Sequence, residues 1–527
     1  MKGRGMQQQQ VESHHPIHAD GEHERGGDEE RGRQEYSERQ PALHTPHKLC
    51  TDAVEGVRGI AALVVFAGHW QLIFTNNAIA PTVNMQEAAA VDIFFVISGF
   101  SMVLAYGDRH FKERKEVLLY WGKRFARLCP LYYLGILIGL IGLAVQYGML
   151  GEMGLIQKRN NEYGMITNDI ISFFTEILFF NAWGLPDTID PPLWTVCVFA
   201  FSYAIFPYVV KHGLIKRMVD KGKGGYFLLF FYILSILPFL PSLFGFLNVY
   251  FVFRIIPPFR FPLFMMGVVI GYMRKRRQRI LSGEHVEVGH ATNPNEQVVD
   301  EQAGRVEGYG TTAVTEHAPP LTEVKEKRSC LKWGVIADLS LLFLTGFWLV
   351  GVVADVLNYW VATKADGHFY LFRNATFLGM GVSPFINVEY NQRASFFIGV
   401  YAEALWAPFY CALIFGLSVY GSGPSLVQKL FGTKPFVWLG KISYAVYVVH
   451  WPILNIARIG LTDGEGAGIP IFYPGWSAQI ANPYHLAWCI PAIVLLGFLA
   501  ERFYDRPLSK RLGLRISAAI HKRYPSQ

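Results

Sequence analysis

The chain has 527 residues, 51% of them hydrophobic and 15% aromatic, with a formal net charge of +7 and a mean hydropathy of +0.23. That is too apolar for a soluble protein of this length, and the apolar residues come in separated blocks of about 20, the length that crosses a hydrocarbon core. The charge excess does not point to nucleic acid, because the basic residues cluster beside the apolar blocks, as the positive-inside rule expects.

Residues 1–47 contain QQQQ, HH and GGDEERGR and almost no apolar residue. They show no apolar core of a signal peptide and have too little to bury, so a disordered tail is expected. A first span is expected at 54–76 and a second at 88–106. The basic stretch 107–129 follows, and a third span at 130–149 opens on Pro130, a residue suited to a first helical turn. Segment 168–182, NDIISFFTEILFFNA, is apolar but short and carries Glu176. If it does not span, the remaining spans are 193–210, 226–246, 257–273, 333–356, 396–419, 437–459 and 486–504. The basic loops 107–129, 211–223 and 274–332 then share one side with both termini. Counting 168–182 as a span would misplace 211–223, so it reads as re-entrant or interfacial.

The expected fold is therefore all-α: a polytopic membrane protein of about ten transmembrane helices with both termini cytoplasmic. Residues 48–510 form the membrane domain, 274–332 a largely disordered cytoplasmic insert, and 511–527 a basic cytoplasmic tail. Asn374-Ala375-Thr376, a glycosylation sequon, falls in a loop on the opposite side. No internal repeat of the transporter kind is visible. The cysteines, Cys50, Cys129, Cys197, Cys330, Cys411 and Cys489, form no CxxC pair, and no disulfide framework or metal site is implied.

The first span, VEGVRGIAALVVFAGHWQLIF, carries Arg58 and His69, eleven residues apart. At about 100° and 1.5 Å per residue they share one helix face and lie ~16 Å apart along it. Two readings fit: a snorkelling arginine with a hydrogen-bonded core histidine, or two groups facing a cavity. Arg124 and Arg127, three apart in KRFARLCPLYYL, either anchor the third span or bind phosphates at its mouth. Asp92, on the second span, is a partner for a basic group or an interfacial acid. Ser98, beside Gly99, has no activating neighbour in sequence and reads as a packing residue lining the cavity. In the ninth span Ser443, Tyr447 and His450 recur at i, i+4 and i+7, one polar face through an apolar helix. Two mid-membrane histidines on separate helices, each with polar companions, point to a polar cavity.

These motifs in this order resemble the acyltransferase-3 family of integral membrane acyltransferases. The resemblance rests on Arg58-x10-His69, VDIFFVISGF, Arg124-x-x-Arg127 before Pro-Leu-Tyr-Tyr, PPLWT at 191–195, LGKISYAVYVVHWP at 439–452 and ERFYDRP at 501–507. It implies a cytoplasmic acyl-CoA donor, commonly acetyl-CoA, and O-acylation of a hydroxyl on a carbohydrate, lipid or similar acceptor. It implies a catalytic His69 and donor-binding Arg58, Arg124 and Arg127. A neutral histidine suits proton removal from a hydroxyl, and with no GxxxxGK[ST] loop the phosphates fall to side chains. Tyr447 and His450 would line the cavity and polarise the carbonyl or shuttle protons.

One departure stands out. Where family members carry WSLSxExxFY, this chain has Cys197 in the serine slot and Phe199 in the glutamate slot. Glu403, on the expected eighth span, is a candidate substitute. A transporter or flippase, and a non-catalytic relative, are the alternative readings of the same cavity.

Overall fold

The computed structural model describes residues 51–75, 81–152, 154–240, 255–281, 332–346, 349, 404–419, 425–461 and 485–525. The expected amino-terminal tail, nearly all of the 274–332 insert, the sequon at Asn374 and Glu403 lie outside them. The described residues belong to one compact unit, residues 50–527. Among them all regular structure is helical.

In chain order the helices that matter here are α1 (Asp52–Thr75), α2 (Pro81–Tyr106), α3 (Arg114–Glu152), α4 (Met165–Ile177), α5 (Trp194–His212) and α6 (Gly224–Ile236), followed by α7 (Pro257–Leu281), α8 (Trp333–Gly346), α9 (Ala407–Ser418), α10 (Lys434–Leu461), α11 (His485–Leu499) and α12 (Arg506–Arg523). Five stretches are long and apolar enough to cross a membrane: Asp52–Trp70, Ala89–Tyr106, Arg114–Glu152, Pro191–His212 and Ala487–Arg523. α7 and α10 occupy two more of the expected spans with 25 and 28 residues, each with charged ends. The expected spans 226–246, 333–356 and 396–419 run into residues outside the description, so five crossing helices are found among the described residues and the expected count of ten extends beyond them.

Two local expectations are settled. Pro130 does not open a helix; it lies inside α3, which runs continuously for 39 residues. Proline removes one backbone donor and usually breaks a helix. Here α3 continues through Pro130, and the half before it packs along α12, where Gly122 faces Ile516 and Ala126 faces Gly513. α4, the Glu176 segment, is 13 residues long. At 1.5 Å per residue that is about 20 Å, short of a hydrocarbon core of about 30 Å.

Glycines set how closely the helices approach, as expected where lipid supplies no hydrophobic drive between them. α1 and α10 run parallel in backbone contact: a Cβ on Gly440 would lie 2.0 Å from the Glu55 carbonyl oxygen, and one on Gly59 would lie 2.7 Å from the Gly440 nitrogen. α2 and α7 also run parallel, with Gly99 against the Phe264 carbonyl and Gly267 against the Val96 carbonyl. α1 and α2 are antiparallel, and the missing side chain of Gly68 makes room for Glu87. These three packings carry the candidate site.

Candidate active site

The two expected histidines meet. His69 on α1 and His450 on α10 stack with ring centroids 4.9 Å apart, and His69 Nδ1 lies 2.7 Å from His450 Nε2. The other nitrogen of His69, Nε2, lies 2.9 Å from Oε1 of Glu87 on α2. His450 Nδ1 contacts the Tyr447 backbone carbonyl. Trp451 closes the His69 side edge-on at 4.9 Å, and both histidines are buried.

The partners fix the protons. A backbone carbonyl only accepts, so His450 carries its proton on Nδ1 and donates it to Tyr447. With Nδ1 so used, the uncharged tautomer of His450 presents a lone pair at Nε2 that accepts from His69 Nδ1. His69 Nε2 is therefore the nitrogen left facing the Glu87 carboxyl. Glu87, His69 and His450 thus form a carboxylate–imidazole–imidazole chain, with Glu87 at Nε2 of His69 and His450 at its Nδ1.

Sequence reading missed Glu87. It stands five residues before Asp92 in an apolar stretch, and its 18-residue separation from His69 across a helix turn carries no periodic signal.

The remaining expected residues fall into separate groups. Arg58 Nη2 donates to the Gly440 carbonyl at 2.6 Å, its Nε donates to Ser443 Oγ at 3.0 Å, and Nη2 pairs with Glu55 at 2.7 Å. Ser443 in turn donates to Gly440 O at 2.8 Å. Tyr447 turns its hydroxyl to the Pro192 carbonyl and Thr195 Oγ1, both at 3.0 Å, tying α10 to the PPLWT turn. Asp92 pairs with buried Arg260 of α7 at 3.0 Å, and Ser98 shares a 2.7 Å hydrogen bond with Tyr203. Both belong to interhelical packing rather than to the histidine pair. Arg124 donates to Tyr106 OH at 2.9 Å, and Arg127 pairs with Asp505 of the ERFYDRP segment and stands over the Tyr444 ring.

The sequence matches the family described as "Acyltransferase domain" over residues 51–502. The chain belongs to the acyltransferase-3 family. It is similar to "Protein 2 in picA locus" of Rhizobium radiobacter, 29% identical over 131 residues, which cover 24% of this chain and 63% of that protein. It is also similar to "Acyltransferase MdmB" of Streptomyces mycarofaciens, 30% identical over 129 residues, 21% of this chain and 32% of the relative. The chain thus spans less than two thirds of either relative. No solved structure matches it.

Against the acyltransferase-3 pattern, the two altered positions are structurally filled. Phe199 packs on Phe95 and Tyr203 at 5.1 and 6.0 Å. The Cys197 thiol donates to Asn181 Oδ1. Neither brings a carboxylate to the histidines; Glu87 does.

A second acidic group sits in the turn before α5. Glu176 Oε1 accepts from Ser172 at 2.8 Å and from the backbone of Ile189 and Asp190 at 3.2 Å. Asp190 is fully buried and neither of its carboxyl oxygens has a partner. Burial, and then the neighbouring Glu176 charge, pushes the Asp190 carboxyl well above the usual carboxylate range.

Proposed function

We propose that the protein is a membrane acyltransferase that moves an acyl group, acetyl in the simplest case, from acyl-CoA to an acceptor hydroxyl on a carbohydrate or lipid. The observation that carries this reading is the Glu87–His69–His450 chain. In the working form His69 is uncharged and its Nε2 holds a lone pair. An acceptor hydroxyl entering there gives its proton to Nε2 as its oxygen attacks the thioester carbonyl. Glu87 offsets the positive charge that develops on the ring, and His450 holds the other nitrogen as a donor. The carbon–sulfur bond then breaks, and the imidazolium returns its proton to the departing CoA thiolate. The family assignment and the name of the Streptomyces relative support acyl transfer as the reaction class.

In this reading the end of the molecule bearing Arg58, Arg124 and Arg127 is cytoplasmic, where guanidinium groups meet the donor's phosphates. The acceptor comes from the other side.

The test is turnover of acetyl-CoA by the purified protein in lipid nanodiscs, with and without candidate hydroxyl acceptors. Wild type releases free CoA, and a correctly inserted His69→Ala variant releases it about 10²–10⁴-fold more slowly, the usual contribution of a general base. Equal rates in the two proteins would remove His69 from the mechanism.

A further inference from the structure

Between the first half of α3 and α12 lies an open groove of about 450 Å³. Its lining includes Lys123, Arg124 and Arg127 from α3 and Ser509, Lys510 and Ser517 from α12. Four cations and two hydroxyls thus converge, and no carboxylate lines the groove. Asp505, at the top of α12, sits behind it, pairing Arg127 and accepting from Ser509 at 2.9 Å. Gly122 and Gly513 let the two helices close on each other: a Cβ on Gly122 would lie 2.5 Å from Ile516, and one on Gly513 would lie 3.7 Å from Ala126. The groove is built by packing rather than by chance exposure of lysines.

We infer that α12 is the second wall of a polyphosphate site, with Lys510 of α12 facing Lys123, Arg124 and Arg127 of α3 across the groove to hold the phosphate groups of the acyl-CoA donor. The inference rests on the acyl-CoA reading for the identity of the ligand, and it adds Lys123 and, beyond the region matched by the family at 51–502, Lys510. Converging guanidinium and ammonium groups are the chemistry that recognises phosphate monoesters and diphosphates, and Asp505 holds one of them, Arg127, in place. A phospholipid headgroup offers the same chemistry, and position favours the donor. Arg127 stands over Tyr444, whose hydroxyl donates to the Leu128 carbonyl at 2.8 Å. Tyr444 adjoins Ser443, the Arg58 partner, and precedes His450 by six residues on the same helix. At 1.5 Å per residue Tyr444, the ring under Arg127, and His450 are about 9 Å apart along α10. A phosphate-anchored ligand with a flexible thioester arm can reach from one to the other, whereas a headgroup lying in the membrane surface has no need of that alignment.

The experiment is equilibrium binding of coenzyme A to the full-length protein in neutral phosphatidylcholine nanodiscs, for wild type, Lys510→Glu and the double variant Lys123→Glu/Lys510→Glu. Both lysines are exposed, so reversal leaves the core untouched, and a thermal melt checks it. Each reversal is expected to weaken coenzyme A binding about tenfold or more, as loss of a charge-assisted contact does, while binding of pantetheine, which carries no phosphate, does not change. Binding needs no turnover, so weakened coenzyme A binding by a protein that transfers nothing would keep the groove and discard the reaction. Equal coenzyme A affinity in all three proteins would overturn the proposal. So would a loss seen only as weaker association with phosphatidylglycerol vesicles, which would give the groove to lipid.

Discussion

His69 Nδ1 stands 2.7 Å from His450 Nε2 because α1 and α10 touch backbone to backbone at their other ends, where Gly59 meets Gly440. From that contact the pair lies ten residues along each helix. At 1.5 Å per residue both helices have risen about 15 Å, so two parallel helices deliver their histidines at the same depth. Register is therefore set at the glycine contact and read out at the imidazoles.

Gly440→Ala tests this coupling. Its methyl group would fall 2.0 Å from the Glu55 carbonyl oxygen, a rigid backbone atom. The helices must part, at a cost of about 1–3 kcal/mol for overpacking. A lower melting temperature is expected, together with a turnover loss of about tenfold or more as the histidine contact opens. Wild-type turnover and melting in this variant would show that the glycine contact does not set the site.

Glu87→Gln probes the third member of the chain. The amide keeps the size of the side chain but cannot carry the negative charge that faces His69 Nε2 at 2.9 Å. Turnover at saturating acyl-CoA is expected to fall about 10–100-fold, within the span of acid–base contributions, and Glu87→Asp to fall less. Unchanged turnover in Glu87→Gln would make the contact incidental.

Asp92→Asn takes the carboxylate away from Arg260, whose side chain is 5% exposed. Leaving a buried charge without its partner costs about 3–5 kcal/mol, whereas replacing both partners by apolar groups is often neutral. The single variant should melt well below wild type, and Asp92→Asn/Arg260→Met should recover much of the loss. A single variant as stable as wild type would show that the pair is dispensable.

Asp190 makes stability depend on pH. Its folded-state carboxyl binds a proton more tightly than the unfolded chain does. Between about pH 4, where the unfolded carboxyl titrates, and the raised native value, the folded protein keeps a proton that the unfolded chain has lost. Stability from this group is thus fully present below about pH 4 and declines as pH rises through that window. Asp190→Asn removes the titration, so the variant should melt above wild type near neutral pH and converge with it in acid. Parallel melting curves from pH 4 to 8 would show that Asp190 is not held protonated.

Periodicity and charge are local properties, and what they encode was legible: the helical class, the Arg58 and His69 face of α1, the Ser443, Tyr447 and His450 face of α10, and a Glu176 segment too short to cross. The sequence alone determined which residues share a helix face, because 3.6 residues per turn fixes that without reference to any other part of the chain. Which faces meet was decided only by tertiary structure. Glu87 reaches His69 where α1 and α2 close at Gly68, Arg260 finds Asp92 across 168 residues where α2 and α7 close at Gly99 and Gly267, and Pro130 lies inside a continuous helix. Such approach depends on the shape of both partners at once, and a single strand of residues does not state it.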